Sequence, residues 1–170
     1  DGYLKIPNKE LMLEFEKALE DESFGYVSKI IENSKSMLKA TVNKDVKIIE
    51  EILHDIHNSE IPILQYNDEN SLSCVVTLAY LAARNYYKIE REEKTGKGYA
   101  DFMFHPRRNG DTAFVLELKV NDKPEKAIKQ IKEKEYYQKF IKENSNRKIL
   151  AVAICYDKNN KKHECEIEEI

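Results

Sequence analysis

The sequence predicts an α/β domain in which helices flank a central mixed β-sheet, preceded by a small helical extension. Three observations favour this fold. Apolar residues recur at helical spacing in the first half of the chain. From residue 86 onward, apolar and polar residues alternate as they do in strands. A lysine-rich helical segment then precedes a short hydrophobic run. The predicted order is helix, three strands, helix and one or two strands. The length, 170 residues, suits one domain of ordinary size, with or without an extension.

Four helices are predicted before the strands. Apolar spacing predicts the first three over residues 10–20, 24–38 and 43–57. Residues 1–8 are expected to be extended, and Pro62 makes continuation of a helix unfavourable. Asn67 and Asp68 resemble an N-cap, which predicts a fourth helix reaching Ala82.

Three strands, a helix and two shorter strands complete the prediction. Alternating patterns joined by glycine-containing turns predict strands over residues 86–92, 99–105 and 112–120. Pro124 occupies a favoured place in the first turn of a helix predicted to reach Glu143. The final strands are predicted over residues 148–156 and 164–170.

The composition is that of a globular protein with a highly charged surface, because 41% of the residues are hydrophobic and 35% are charged. The longest apolar run is far below the roughly 18 residues that a membrane span needs, and no basic and then apolar leader is present. The three cysteines lack CxxC spacing, which indicates reduced thiols rather than disulfides or a zinc site. We therefore expect a cytoplasmic protein without a membrane partner.

Charge is unevenly distributed along the chain. Residues 84–148 contain 17 Lys or Arg and 11 Asp or Glu, a net charge of +6, although the whole chain has a formal net charge of −3. Only this part is suited electrostatically to a polyanion. Lysines of the predicted helix over residues 124–143 would contact a nucleic-acid backbone. Interleaved glutamates favour the alternative, a solvated helix face.

Two acids and a lysine fall on neighbouring predicted strands. Asp101 lies on the second strand, and Glu117 and Lys119 lie two residues apart on the third. Charged side chains within apolar runs cost free energy unless a partner compensates them. Because side chains alternate along a strand, Glu117 and Lys119 share a face with Val115. The same alternation predicts that Ala100, Phe102 and Phe104 share the face opposite Asp101.

The register of the hairpin between these strands decides whether the acids meet. A two-residue loop, Asn109 and Gly110, would turn Glu117 away from Asp101. A three-residue loop with Gly110 in a left-handed bulge, or a longer loop of the same parity, sets Asp101 directly opposite Glu117. We predict the second register.

Two carboxylates and a lysine in one place suit metal-dependent phosphodiester hydrolysis. Mg²⁺ prefers one or two carboxylates together with waters and substrate phosphates, and it lowers the pKa of an attacking water. A lysine at the same site can orient that water or stabilise the developing anion. The alternative is structural: Asp101 caps a turn, and Glu117 and Lys119 form an ordinary pair on an exposed strand.

These residues resemble the PD-(D/E)XK nuclease superfamily, whose core carries an acid on its second strand and (D/E)-x-K on its third. Here Tyr99-Ala100-Asp101 and Glu117-Leu118-Lys119 occupy those places, with Ala100 in place of the proline that names the family. The resemblance implies a restriction-endonuclease-like α-β-β-β-α-β core. It implies Mg²⁺ or Mn²⁺ bound by Asp101, Glu117 and the Leu118 carbonyl, with Lys119 activating water. The implied activity is that of an endo- or exonuclease on nucleic acid, with DNA expected before RNA.

Two further site residues follow from the resemblance. Gln130, six residues before Tyr136, resembles the Gln-x5-Tyr pattern of the helix after the third strand and would position Lys119 or phosphate. An exposed helix glutamine without a role is the alternative. Glu69 resembles an additional acid on the first core helix, and a solvated acid at a helix N-terminus is its alternative.

The resemblance is closer to one branch, in which the nuclease-like domain is the C-terminal part of AAA-ATPase-like proteins. Residues 6–10 resemble its junction, and residues 67–71 and 78–83 resemble the helix that opens its core. This implies a helical extension or linker over residues 1–66, a nuclease-like domain over residues 67–170, and an ATPase-like domain in the same full-length chain. A non-catalytic interaction module of such a protein is the alternative function, and passive nucleic-acid binding is a third.

Three histidines are candidates outside this motif. His54 and His57 lie one helical turn apart, but without a third ligand nearby in sequence a solvated helix surface is expected. His105 lies near two arginines and would touch phosphate, although a bystander in a loop is the simpler interpretation.

Overall fold

Five strands form one sheet with helices on both faces in the computed structural model, which describes residues 22–60, 68–95, 98–143 and 146–170. The helices are α1 (Glu22–Asn43), α2 (Val46–Glu60), α3 (Glu69–Ala79), α4 (Pro124–Glu133) and α5 (Gln138–Glu143), with a 3₁₀ helix at Leu81–Asn85. The strands are β1 (Tyr87–Thr95), β2 (Gly98–Pro106), β3 (Ala113–Val120), β4 (Ile149–Asp157) and β5 (Lys162–Glu169).

The sheet is mixed, with strand order β1-β2-β3-β4-β5. β3 and β4 run parallel, and every other neighbouring pair is antiparallel. A parallel pair needs a crossover connection, and the segment containing α4 and α5 supplies it. The predicted α/β architecture and its α-β-β-β-α-β order are therefore confirmed, as is the helical part that precedes it.

The two faces of the sheet carry separate hydrophobic cores. Side chains of β2, β3 and β4 that face α1, α2 and α3 form the larger one, which includes the stacked rings of Phe104 and Phe114, 4.0 Å apart. Val115, Met103 and Ala151 lie on the opposite face and pack under α4 and α5. The alternation predicted for β3 is confirmed, because Val115 and the apolar residues on either side of it belong to different cores.

Helices α1 and α2 are built into the larger core. The Tyr80 hydroxyl shares a buried hydrogen bond of 2.7 Å with Thr41 of α1, and the backbone N–H of Ala82 donates to Ser34 Oγ at 3.1 Å. A domain boundary at residue 66 stays a prediction, since that position lies outside the described residues. The predicted helix over residues 10–20 lies outside them as well.

The single helix predicted from residue 124 to residue 143 is wrong. The chain forms α4 and α5 instead, because Glu135 adopts a positive φ of 56° between them, which no α-helix can contain. This break turns Tyr136 inward, where it is 2% exposed. The fourth predicted helix is also shorter than expected, since α3 ends at Ala79 and a 3₁₀ helix follows.

The β2–β3 hairpin has the predicted register. Phe102 pairs with Leu116 and Phe104 with Phe114, and the same register continued by one residue places Asp101 opposite Glu117. The last β2–β3 pair before the loop is Phe104 with Phe114, so residues 105–113 separate the paired positions. Their number is odd, like the three residues of the predicted loop, so the longer connection has the required parity. Gly110 has a φ of +100°, a conformation that favours glycine.

Among the helices that the structure describes, none is both long enough and apolar enough to cross a membrane. The three cysteines, Cys74, Cys155 and Cys165, are free thiols, and the last two are buried.

Candidate active site

The β2–β3 ladder stops where the two acids begin. Its last pair is Phe102 with Leu116, and the next hydrogen bonds use side chains. The Leu118 N–H donates to Asp101 Oδ2 at 2.7 Å, and the Asp101 N–H lies within hydrogen-bonding reach of the Glu117 carboxylate. Each acid thus contacts the backbone of the other strand, which fixes both carboxylates at the opening between β2 and β3.

This opening disturbs the alternation along β2. Ala100 packs in the same core as Met103, three residues away, whereas Phe102 faces the other core. The prediction that Ala100 shares the face of Phe102 is therefore wrong. The change of face coincides with the end of the β2–β3 ladder, where a side-chain hydrogen bond from the Leu118 N–H to Asp101 follows the last backbone pair.

Glu117 is the most buried acid of the site, with 2% of its surface exposed. Its Oε1 atom accepts hydrogen bonds from Lys119 Nζ, at 2.8 Å, and from Gln130 Nε2. Its Oε2 atom is buried without a hydrogen-bond partner in the described part of the chain. Burial, followed by the nearby negative charge of Asp101, raises the pKa of Glu117 to about 7, although the contact with Lys119 opposes this shift.

Lys119 is the cation of the site. Burial works to lower its pKa, but the hydrogen bond to Glu117 and the negative charges of Glu117, Asp101 and Glu69 outweigh burial and raise the pKa above its ordinary value. The ammonium group is therefore a stable positive charge between the acids of three different elements, α3, β2 and β3.

Gln130 reaches Glu117 from α4, on the far side of the sheet from α3. Besides its bond to Glu117, Nε2 of Gln130 donates to the Tyr136 hydroxyl at 3.3 Å. The break between α4 and α5 places Tyr136 where this second bond is possible. The Gln-x5-Tyr spacing thus corresponds to a physical contact, which holds the amide against the buried carboxylate.

A cavity of about 190 Å³ lies on the α3 side of the site, lined by Glu69, Asn70, Ser73, Arg91, Asp101 and Leu118. Asp68 caps α3 with a hydrogen bond from the Ser71 N–H at 2.8 Å, which holds the first turn of α3 over the cavity. Glu69 is in this first turn and lines the cavity together with Asp101.

Arg91 of β1 also lines this cavity, and no feature of the sequence predicted this position. Nη2 of Arg91 donates to Ser73 Oγ at 2.7 Å, and its guanidinium carbon lies 5.3 Å from the centre of the Phe102 ring. Within the described residues no carboxylate forms an ion pair with it. The strand pattern of β1 identifies Arg91 only as a strand residue, and its pairing with Phe102, next to Asp101, becomes visible only in the register.

The donor set fits one divalent ion of the magnesium type. Asp101 and Glu117 supply two carboxylates, and the unpartnered Oε2 atom of Glu117 is a buried lone-pair donor. No group of three or more Asp, Glu, His or Cys side chains suited to a metal occurs in the described residues, so Glu69 does not complete a three-acid cluster. Two carboxylates, with waters and phosphate oxygens, are the usual protein share of a Mg²⁺ site.

The order of the elements and the geometry of the acid–acid–lysine group agree with one comparison. The model of the PD-(D/E)XK nuclease superfamily matches residues 67–166 of the chain. The chain belongs to this superfamily. Its fold is therefore the restriction-endonuclease-like fold, and a nuclease-type function on nucleic acid is indicated. Nucleases of the PD-(D/E)XK superfamily generally use divalent metals, commonly Mg²⁺. A search of curated proteins found no match.

Other candidate residues lie apart from this nuclease-like site. His57 is buried, and its Nδ1 atom shares a hydrogen bond of 3.0 Å with Nε2 of His163, so the expected solvated surface is wrong for His57 and right only for His54. His105 is a buried strand residue rather than a loop residue, and it contacts Glu90 and Glu143. Its ring packs on Phe140, 4.8 Å between centres.

Most lysines of α4 and α5 form ion pairs with acids. Lys126 pairs with Asp122, Lys132 with Glu168, and Lys139 with Glu90. These pairs favour the solvated, self-compensated helix face that the interleaved glutamates predicted.

Proposed function

We propose that this protein is a metal-dependent nuclease that hydrolyses phosphodiester bonds in nucleic acid. The observation that carries the proposal is the convergence of Asp101, Glu117 and Lys119 at the opening between β2 and β3, where Glu117 Oε2 is buried and has no hydrogen-bond partner among the described residues. A buried carboxylate oxygen without a donor costs free energy, and such exceptions call for an explanation such as an ion.

Asp101, Glu117 and the Leu118 carbonyl would hold the Mg²⁺ or Mn²⁺ ion. When bound, the ion supplies charge stabilisation at the phosphate and a lowered pKa for the attacking water. The Leu118 N–H already donates to Asp101, so the residue whose carbonyl would be the third donor is tethered to the first carboxylate. The bonds from Lys119 and Gln130 fix Oε1 of Glu117 and leave Oε2 free to bind.

Lys119 would orient the attacking water and stabilise the negative charge that develops on the phosphate. Its raised pKa keeps the ammonium group protonated near neutral pH, which suits electrostatic stabilisation and hydrogen bonding to water. Glu69 would add negative charge on the α3 side and orient groups at the metal without binding it directly. Gln130 would act as a positioning residue for Glu117.

Arg91 would bind a phosphate of the substrate in the cavity under α3. Its guanidinium is held by a neutral hydroxyl and an aromatic face, and it forms no ion pair with an acid of the described chain. An arginine fork matches a phosphate in two hydrogen bonds. Asp101 lines the same cavity, which brings the phosphate next to the first metal ligand.

The finer identity of the protein is part of the proposal. We place it in the branch that forms the C-terminal domain of AAA-ATPase-like proteins, with residues 1–66 as extension or linker and residues 67–170 as the nuclease-like domain. For a member of that branch we also propose an ATPase-like domain in the same full-length chain. We propose a cytoplasmic location and DNA, rather than RNA, as the substrate. A non-catalytic interaction module is the alternative, and it predicts that the acids bind no metal.

A cleavage assay with a mixture of DNA and RNA tests the proposal. The wild-type chain should cleave with Mn²⁺ or Mg²⁺ and stop when EDTA is added, and Lys119→Ala should lower the rate by at least about 100-fold, the lower bound for loss of such a group. Lys123→Ala, at an exposed lysine nearby, is the matched control. Unchanged cleavage by Lys119→Ala, with an unchanged circular dichroism spectrum, would remove the mechanism.

A further inference from the structure

A second cleft lies at the other end of β2 from the acids. It encloses about 640 Å³ and is lined by the last turns of α1, the start of β1 and the β2–β3 loop. Asp101 and Pro106 are five residues apart on β2, about 17 Å at the rise of an extended strand. The cleft is thus distinct from the candidate active site, although β2 joins the two.

Three cations line this cleft without partners in the described part of the chain. Lys35 and Lys39 lie one turn apart on α1, so they present their ammonium groups on one helix face. Arg108 faces them from the β2–β3 loop, and all three side chains are exposed. Among the described residues, Asp111 is the one acid that lines the cleft, so the described lining has a net charge of +2. The lysines of α4 and α5, by contrast, are largely paired with acids.

The cleft also carries an exposed aromatic ring. Tyr86 is 47% exposed, and its carbonyl accepts the Arg107 N–H at 2.9 Å, which ties the loop to the start of β1. The floor is held in place by a bond from the buried Tyr87 hydroxyl to the Thr112 carbonyl at 3.0 Å. Leu38 and Val42 of α1 add half-buried apolar surface beside the cations.

We propose that this cleft binds single-stranded nucleic acid outside the cleavage site, with a base against Tyr86 and phosphates on Lys35, Lys39 and Arg108. Unpaired cations that track a backbone, together with an aromatic platform, are the two features that bind single strands without reading sequence. The proposed function supplies the polymer, and the cleft would hold the strand while a distant phosphodiester reaches Asp101.

Fluorescence anisotropy of single-stranded oligonucleotides in EDTA measures this binding in the full chain without cleavage. The charge variant is Lys35→Ala/Lys39→Ala/Arg108→Ala, and Lys29→Ala/Lys47→Ala/Lys158→Ala removes three exposed lysines elsewhere. We expect the first variant to make the plot of log K against log salt shallower by about 2, since each single-strand phosphate contact contributes about 0.7. The control variant should retain the wild-type slope. Equal slopes for the two variants would overturn the proposal.

Tyr86→Ala and Tyr86→Phe separate stacking from charge. Loss of one stacked base weakens binding about fivefold or more, so the alanine variant should lose that factor and the phenylalanine variant should not. A mononucleotide that saturates the cleft, with no gain in affinity for longer strands, would show a free-nucleotide site and overturn the strand proposal. Because no metal is present, these outcomes are independent of whether the protein cleaves.

Discussion

Glu117 is the residue at which the candidate site converges. Its carboxylate accepts hydrogen bonds from Lys119 of its own strand and from Gln130 of α4. It also lies beside the backbone N–H of Asp101. Burial and the charge of Asp101 raise the pKa of Glu117 to about 7, so the ionised form is disfavoured in the isolated chain. Burying this acid lowers the free energy of unfolding, and a bound cation would raise it again.

Gln130 should control how well the site binds metal. Gln130→Ala removes the donor that holds Oε1 of Glu117, and loss of such outer contacts costs about 10- to 100-fold in metal affinity or activity. Mn²⁺ titration of the full chain measures this change directly. Gln138→Ala, at another half-buried helix glutamine, is the control. An unchanged Mn²⁺ affinity in Gln130→Ala would show that the amide serves packing alone.

Arg91 should affect substrate binding rather than folding. A hydrogen bond to a charged group contributes about 1.5–3 kcal/mol, so Arg91→Ala should lower kcat/KM roughly 10-fold or more. Arg91→Lys should recover little, because an ammonium group cannot form the two-pronged contact of a guanidinium. Steady-state kinetics test this, with Arg84→Ala at an exposed arginine as control. A fall in the free energy of unfolding with unchanged kcat/KM would assign Arg91 to packing against Phe102.

At the level of single helices and strands, buried hydrogen bonds hold α1 against the nuclease-like core. Thr41 shares its hydroxyl between the Met37 carbonyl and the Tyr80 hydroxyl. Because Tyr80 is 1% exposed, its hydroxyl has no access to water if Thr41 is lost. The contact therefore links α1 to the chain between α3 and the 3₁₀ helix that follows it.

A double-mutant cycle tests this link. Thr41→Val keeps the shape of the side chain but leaves the Tyr80 hydroxyl buried without a partner, which should cost about 1–3 kcal/mol of unfolding free energy. The same change in a Tyr80→Phe background should cost much less, since no orphaned hydroxyl remains. Urea denaturation measures all four proteins. Additive effects would show that α1 is not packed against Tyr80 in solution.

The His57–His163 contact joins α2 to β5 and makes stability depend on pH. Burial, then the nearby His57 and His54, lowers the pKa of His163 to about 3, whereas an unfolded histidine titrates near 6.5. The unfolded chain therefore binds the proton first. The stability from this residue is complete above pH 6.5 and falls as the pH decreases from about 6.5 towards 3.

Denaturation at pH 6.5 and pH 5.5 separates the titration of His163 from that of most carboxylates, which titrate at lower pH. The wild-type chain should lose about 1 kcal/mol through His163 over this interval, and His163→Gln should lack that part of the loss. His54→Gln, at the exposed neighbour on α2, should keep it. Equal losses in wild type and His163→Gln would contradict a neutral, buried His163.

At the scale of the whole molecule, periodicity was sufficient to predict the strands and their order. Alternation in β3 separates Val115 from the apolar residues that face α1, α2 and α3, and this division follows from strand geometry alone. The β2–β3 register was also predicted from local chemistry. Gly110 takes a positive φ in the loop, and the register that follows puts Asp101 opposite Glu117 when it is continued by one residue. Local rules were enough wherever one element determined the outcome.

Features that depend on two or more elements could not be predicted. The break at Glu135 puts a non-glycine residue at positive φ so that Tyr136 can reach Gln130, and the helical pattern gives no sign of it. His57 is buried because residues about 100 positions later in the chain, Tyr156 and His163, pack against it. Arg91 joins the site through its neighbours Ser73 and Phe102. Each of these is a tertiary contact that overrides a local preference.

The distribution of charge over the molecule also differs from its distribution along the chain. The basic segment, residues 84–148, owes much of its positive charge to lysines that pair with acids. The cations without partners in the described residues include Lys35 and Lys39, which lie outside that segment and meet Arg108 across the cleft. A polyanion would therefore be attracted to a surface that the net charge of a segment does not identify.

A Mn²⁺ titration followed by thermal unfolding tests most directly whether Asp101 and Glu117 share one divalent ion. At Mn²⁺ about 100-fold above its Kd, the wild-type chain should gain about 2.7 kcal/mol, or roughly 5 to 10 °C in Tm for a chain of this size. Asp101→Asn and Glu117→Gln should each abolish the shift, and Glu125→Gln, at an exposed acid of α4, should retain it. An Asp101→Asn protein that Mn²⁺ stabilises as much as wild type, or a wild-type chain that Mn²⁺ does not stabilise, would contradict the shared site.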